Sequence, residues 1–273
     1  MKKYNLTIAH NVSNERMQLD QHFHTDYEII FIEEGVLHFK INGIPYVFDK
    51  NCIIFVNRFE KHEADFLKLP YVRYVLILDS DFLNQNIRNP VLSSILKNRP
   101  KGFTNGFKLS DTDAEYVKSL LNNCTTEYIS KSFYWEHSIV SDITKLLVFL
   151  YRNYGDHFPI ATNNSKVDLV QKIYDFIALN YLEDISLDSI ASYLYLNKYY
   201  ISHVFKELTG YSIKRFIILN RISRAKDLLY RTEKSISEIG FNSGFNSTSN
   251  FIRSFNKEED MTPLQYRKKH KKK

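Results

Sequence analysis

Between residues 21 and 83, apolar and polar positions alternate in short runs rich in β-branched and aromatic residues, at 28–32, 37–41, 46–48, 52–56 and 71–78. Alternation at period two predicts half-buried strands. Turn formers separate the runs: Glu34-Gly35, Asn42-Gly43, Asp49-Lys50-Asn51 and Leu69-Pro70. Asn42-Gly43, flanked by 37–41 and 44–48, is the strongest hairpin signal in the chain. Five or more strands spaced this closely predict a small barrel or sandwich. After about residue 110 the period lengthens. Val117, Leu120, Leu121, Cys124 and Tyr128 share one helical face behind an N-cap candidate at Ser110-Asp111. A second helix is predicted over 133–154, with Ile139, Ile143, Leu146, Leu147 and Leu150 on its apolar stripe. The stretch 155–165 lacks periodicity and is rich in turn formers, which predicts a domain boundary there. The expected fold is α+β in two domains. Residues 1–158 form a β-barrel with two helices, and residues 159–273 form an all-α domain.

The second domain contains a repeat. Ser186, Ile190, Ala191 and Leu196 match Ser235, Ile239, Gly240 and Phe245. After one inserted residue, Asn197, Ile201, Phe205, Ser212 and Phe216 match Ser247, Phe251, Phe255, Thr262 and Tyr266. Each unit, at about 186–208 and 235–258, reads as a short helix opened by a serine cap, a tight turn and a second helix. Ile201/Phe205 or Phe251/Phe255 point inward at i and i+4. That is the helix-turn-helix pattern, whose second helix enters the DNA major groove. Between the units, 213–230 keeps helical spacing. Eighteen residues at 1.5 Å make a rod of roughly 27 Å, close to the roughly 34 Å of one DNA turn.

Charge agrees with this reading only in part. Residues 161–273 carry 19 Lys+Arg against 12 Asp+Glu, whereas residues 1–160 carry 18 against 19. Six of the basic residues belong to the last seven positions, so the spacing carries more weight than the charge. At 44% hydrophobic and 25% charged, the composition excludes a largely disordered or collagen-like chain. The longest apolar runs fall far short of the roughly 20 residues of a membrane span. Met1-Lys2-Lys3-Tyr4-Asn5 lacks the apolar run of a signal peptide. The expectation is a cytoplasmic protein with no membrane partner, with Cys52 and Cys124 reduced.

The second unit has Ile236-Ser237-Glu238-Ile239-Gly240, Ser243-Gly244-Phe245, Asn250-Phe251-Ile252-Arg253-Ser254-Phe255, Thr262-Pro263 and Tyr266-Arg267. It resembles the signature of the AraC/XylS family of bacterial transcription regulators. The first unit, with Ile190-Ala191, Phe205-Lys206, Gly210, Arg221 and Ala225-Lys226, is similar to that family's first helix-turn-helix. The sequence departs from the pattern at Gly240, where alanine is usual, at Asn256, where a basic residue is usual, and at Asp260, where glycine is usual. The resemblance implies double-stranded DNA as partner, with base contacts from Tyr199, Ser202 and His203 in the first unit and Thr248, Ser249, Asn250 and Arg253 in the second. Arg253 suits guanine O6/N7, Asn250 suits adenine, and Tyr199 suits a thymine methyl. Lys198, Lys206 and Lys257 suit phosphates. The resemblance also implies an activator that works with RNA polymerase and responds to a small effector, a carbohydrate for preference.

In the first domain, His22-Phe23-His24-Thr25-Asp26-Tyr27-Glu28, followed by His62, resembles the first motif of the cupin barrel. In that motif, histidines and a glutamate can bind Fe, Mn, Zn or Ni. On one continuous strand His22, His24 and Glu28 would face the same side, and Ile30 and Ile32 would continue it. The Pro-x-Gly turn usual before the second-motif histidine is missing ahead of His62. Two readings stand: a metal site, or a polar patch in a sensor pocket with no cofactor, as the AraC/XylS resemblance implies. His22, His24, Tyr27, Glu28, His62, Arg73 and Tyr74 are the effector-pocket candidates. The helices at 111–154 serve either as a homodimer interface or as a cap on the barrel. The alternative function is a cupin-type metalloenzyme with a helical appendage; the leading expectation is a non-enzymatic regulator.

Overall fold

The computed structural model describes residues 6–16, 18–24, 26–58, 60–97, 103–158 and 165–270. The chain divides into two compact units, residues 1–163 and 164–273.

Among the described residues, the first unit is built on seven antiparallel strands: β1 (Leu6–Ser13), β2 (Gln18–His22), β3 (Tyr27–Ile41), β4 (Ile44–Asp49), β5 (Cys52–Val56), β6 (His62–Leu78) and β7 (Gly106–Lys108). They pair in the order β1-β6-β3-β5-β7, with β2 on β6 and β4 on β3. The hairpin at Asn42-Gly43 forms as expected, with Ile41 opposite Ile44 and both turn residues at positive φ. Two other expected turns are not turns. Glu34-Gly35 lies inside β3 and Leu69-Pro70 inside β6. At that point the register between the two strands slips several times. Gly35 has φ +100°, and a Cβ there would stand 2.8 Å from the Lys68 carbonyl and 2.9 Å from that of Pro70. Glycine is needed because two backbones cross there at close range.

The slip has a consequence for the core. A one-residue shift exchanges the faces of a strand. Ile30 and Ile32 before the bulge therefore join Leu37, Phe39 and Ile41 after it, in an inner core with Phe48, Ile54, Val56, Phe66 and Tyr71. The opposite face carries Tyr27, Ile29, Phe31, Phe55, Tyr74 and Leu76, which pack in an outer core with the helices. Those helices are α1 (Ser80–Asn86), α2 (Pro90–Lys97), α3 (Asp111–Ser130) and α4 (Trp135–Tyr154), followed by a single 3-10 turn at Gly155–His157. Ser110 caps α3 by accepting from the Asp113 amide. Val117, Leu121, Cys124, Ile139, Ile143, Leu147 and Leu150 are buried on the sheet, each apolar side chain contributing about 1.5–3 kcal/mol.

Among the described residues, the regular elements of the second unit are all helices: α5 (Ser165–Asn180), α6 (Leu187–Leu194), α7 (Lys198–Thr209), α8 (Ile213–Arg231), α9 (Ile236–Asn242), α10 (Thr248–Glu259) and α11 (Pro263–His270). Helix α8 is its axis, with Phe216, Leu219, Ile222, Ala225 and Leu229 fully buried. On one side Tyr174 of α5 packs on Phe205 and Phe216. On the other, α8 shares a core with Ile239, Phe245, Phe251 and Phe255.

Candidate nucleic-acid interface and ligand site

Each repeat unit is a helix-turn-helix held by local chemistry. Helix α6 starts at Ser186, which forms a reciprocal cap with Ser189. Helix α9 starts at Ser235, which does the same with Glu238. The turns that follow need a left-handed residue. Tyr195 takes that role in the first unit at φ 54° and Gly244 in the second at φ 88°. Asn197 then caps α7 by accepting from the Tyr199 and Tyr200 amides, and Ser247 caps α10 by accepting from the Asn250 amide. Ile201 and Phe205, like Phe251 and Phe255, are fully buried, so the opposite faces of α7 and α10 point away from the core.

Those outer faces hold the residues expected to touch DNA. In α7, Tyr199 is 74% exposed, which removes packing as its purpose. His203 and Lys206 are also exposed, while Ser202 and Lys198 are half-buried. Lys198 Nζ lies 2.8 Å from Asp188 and over the Tyr199 ring. In α10, Ser249, Asn250, Arg253 and Lys257 are exposed and Thr248 half-buried. Arg253 leans toward Asn250 Oδ1 at 3.4 Å. The acidic residues at the end of α10 turn inward: Glu258 pairs with Arg215 and Glu259 with Lys226, both cations belonging to α8.

One side chain ties the two units together. Arg221 of α8 donates from Nε to the Tyr181 carbonyl and from Nη2 to the Glu183 carbonyl, both at 2.8 Å. These carbonyls belong to the turn between α5 and α6. Its guanidinium also lies over the Phe245 ring. A Cβ on Gly244 would meet Tyr181 O at 2.6 Å and Arg221 Nε at 3.0 Å. The turn of the second unit thus packs on the entrance to the first, across a single guanidinium.

In the first unit, four of the effector-pocket candidates converge, although not along one strand as expected. His22 ends β2, His24 lies in the link to β3, and Glu28 is inside β3. They meet because β6 pairs with both β2 and β3, setting His62 opposite His22 and Ile41. His24 Nε2 lies 3.2 Å and His62 Nε2 3.8 Å from Glu28 Oε2. The His22 and His62 ring centroids are 4.2 Å apart. Burial pushes Glu28 upward, but the His24 hydrogen bond and charge overcome it and hold the carboxyl below its ordinary range. Burial, reinforced by His24, drives His62 down to about 3, so its ring is neutral. Arg73 joins this neighbourhood, stacked over Phe66 and Tyr71 and donating to Ser13 Oγ.

Tyr27 and Tyr74 do not join it. Both sit in the outer core between sheet and helices, because each is the immediate neighbour of an inward residue, Glu28 or Arg73. Tyr71 is a candidate that the sequence reading missed. It belongs to the inner core, and its buried hydroxyl has no hydrogen-bond partner among the described residues. Tyr71 stands two residues from Arg73 in the unbroken register of β1 on β6, so period-two alternation from Arg73 already points it to the same face.

Residues 190–269 match the family model of a helix-turn-helix domain, and residues 8–99 match that of an AraC-like ligand binding domain. The chain is 24% identical over 277 residues to YdeC, an uncharacterized HTH-type transcriptional regulator of Bacillus subtilis, covering 97% of this chain and 90% of that protein. An uncharacterized HTH-type transcriptional regulator of Staphylococcus aureus is 29% identical over 168 residues, 59% of this chain but only 22% of its own length. The melibiose operon regulatory protein of Escherichia coli is 35% identical over 99 residues, 36% of this chain and 33% of that one. Among solved structures, ToxT from Vibrio cholerae with an unsaturated fatty acid bound has the same fold. The TM-score is 0.66 at 16% identity, over 98% of this chain and 97% of that chain.

Proposed function

We propose, for a chain that is an AraC-family transcription regulator with an N-terminal ligand-binding domain, a division of labour between the two units. The helical unit reads two successive major grooves of double-stranded DNA with α7 and α10. Tyr199, Ser202, His203, Thr248, Ser249, Asn250 and Arg253 face the bases, and Lys198, Lys206 and Lys257 face phosphates. The observation that carries this reading is the doubled helix-turn-helix. Its two outer faces are free of the core, and a helix of 19 residues, about 28 Å long, runs between the units. The sheet unit takes a small effector at the inner-core cluster of His22, His24, Glu28, His62 and Arg73. These are hydrogen-bonding groups beside apolar walls, which suits a carbohydrate.

Effector binding shifts a two-state equilibrium toward the form that grips DNA. In this reading the protein is an activator that works beside RNA polymerase in the cytoplasm and is not an enzyme. Among the described residues, no helix is long and apolar enough to cross a membrane. The α3–α4 hairpin supplies a homodimer contact, supported by the exposed Ile129, Phe133 and Tyr134 near its tip. Selection of bound sequences from a random DNA pool, repeated with a panel of sugars, tests the whole scheme. The expected outcome is a pair of half-sites about one helical turn apart, enriched more strongly when the right sugar is present. Recovery of a single short motif would remove the two-groove reading.

A further inference from the structure

Helices α6 and α9 end with the same hydrogen bonds. In the first unit the Tyr195 amide donates to the Ser192 carbonyl and the Leu196 amide to that of Ala191. In the second, the Gly244 amide donates to Phe241 and the Phe245 amide to Gly240, all four between 3.0 and 3.3 Å. The left-handed position of such a cap is ordinarily glycine, because a Cβ there crowds the following carbonyl. Gly244 obeys that rule. Tyr195 breaks it, holding φ 54° and ψ 39° with a full aromatic side chain. Packing does not compensate, since Tyr195 is 94% exposed, the most exposed of the large hydrophobic side chains among the described residues. Backbone strain of this kind is retained where a function uses it.

The surroundings of Tyr195 show what that use is. With Asp188, Ala191, Ser192, Leu196 and Lys198 it lines an open concavity of about 390 Å3 between the end of α6 and the start of α7. The Tyr195 phenol, the Ser192 hydroxyl and the Lys198 ammonium are all donors. The one acid, Asp188, holds Lys198 Nζ at 2.8 Å, with the two side chains 72% and 41% exposed. A pair so wetted is weakly held, and an incoming anion can exchange with the carboxylate. The first residues of a recognition helix reach base edges. Donors placed just ahead of them therefore fall at the rim of the groove, where the phosphates run. Tyrosine, serine and lysine are ordinary donors to phosphate oxygens. By the repeat, the second unit has Gly244 for Tyr195, Phe241 for Ser192 and Thr248 for Lys198, so this donor set belongs to the first unit alone.

We propose that Tyr195, Ser192 and Lys198 form a phosphate clamp that seats one phosphodiester of the DNA backbone at the edge of the groove entered by α7. The phosphate takes the place of Asp188 at the Lys198 ammonium, and the Tyr195 O–H donates to one of its oxygens. Tyr195 is thus a positioning residue: it sets the depth and register of α7 and reads no base. The proposal deepens the DNA-binding reading above and rests on it.

The test pairs DNA affinity with stability in the full-length protein. Tyr195→Gly removes the strain, so its denaturant midpoint should rise. Its affinity should fall about 10-fold, by the same factor on a selected sequence and on a random duplex, and Tyr195→Phe should lose about 5-fold, the share of one hydrogen bond. Lys198→Ala should reduce the salt slope by about 1, whereas Tyr195→Phe should leave the slope unchanged, because no charge is lost. Unchanged affinity of Tyr195→Gly on both duplexes overturns the proposal. A loss confined to the selected sequence also overturns it, since Tyr195 would then read a base. So does a midpoint that falls in Tyr195→Gly, since the ring would then serve the fold. Wild-type protein that bound neither duplex would bring down the DNA reading and the clamp together. Wild-type binding with an unaffected Tyr195→Gly brings down the clamp alone.

Discussion

The two helix-turn-helix units follow one plan with different residues, and their differences compensate in pairs. Where the first has Ala191 and Ile201 at the matching positions, the second has Gly240 and Phe251. A Cβ on Gly240 would lie 2.9 Å from the Phe251 ring. The methyl lost on one helix makes room for the ring on the other, which explains why alanine is missing at a position where the family pattern has it. The turns differ in the same way. Tyr195 bears the left-handed conformation in the first unit while its ring stays exposed. Gly244 is required in the second because Tyr181 and Arg221 leave no space for a side chain. The outer faces diverge further. In α7 the offered groups are Tyr199, Ser202 and His203, with Glu207 held by Lys166. In α10 they are Thr248, Ser249, Asn250 and Arg253, and the nearby acids are tied back to α8. Asn256 and Asp260 dilute the charge of the second unit, but Glu258 and Glu259 do not face the same way as Arg253. The lesson is that equal packing plans support unequal reading surfaces.

The largest test of the shared plan is removal of a matched core ring. Phe205→Ala and Phe255→Ala should each cost about 3–5 kcal/mol in denaturant unfolding of the full chain. A large loss for one and almost none for the other would show that the cores are not equivalent. Next comes the compensating pair. Gly240→Ala should cost about 1–3 kcal/mol through overpacking, and Phe251→Ile added to it should recover part of that loss. Simple additivity in this double-mutant cycle would refute the volume exchange.

The reading faces separate at a similar scale. On the selected site Arg253→Ala should lose about 1–3 kcal/mol of binding and relax one base position. Tyr199→Ala should lose less, below about 1 kcal/mol, the worth of an apolar contact of methyl size. Equal losses on selected and random DNA would deny Arg253 a base-reading role. The smallest effect belongs to Lys257→Ala. It should lower affinity evenly across sequences and reduce the salt slope by about 1. A sequence-dependent loss would move Lys257 from the phosphates to the bases.

What could be read from the chain depended on how local the determining interaction is. Helix α8 was expected over 213–230 and spans Ile213–Arg231, because the apolar spacing and the Ser212 cap lie within it. The α3 cap at Ser110 and the Asn42-Gly43 hairpin are equally local. Helix α5 received no separate reading, although Leu169, Val170, Ile173 and Ile177 keep helical spacing and are buried. The long strands were harder. Gly35 and Pro70 look like turn formers, and only the opposite strand shows that they meet at a crossing. The histidine cluster was expected for a reason that does not hold, since His22 and His24 are not on the strand of Glu28. Their meeting depends on the long-range pairing of β6. Tyr27, by contrast, could have been set aside from alternation alone, because it adjoins Glu28, which the spacing places on the inner face; for Arg73 and Tyr74 alternation says only that the two face opposite sides.

The guanidinium of Arg221, wedged between the entrance to the first unit and the turn of the second, has a bearing on operator grammar. Hinged heads could tolerate a spacer one base pair longer or shorter, whereas heads locked by three simultaneous contacts cannot follow the roughly 34° by which each added pair turns the second groove. Under the proposed two-groove reading, the distance between half-sites then becomes a recognition element in its own right, as strict as any base.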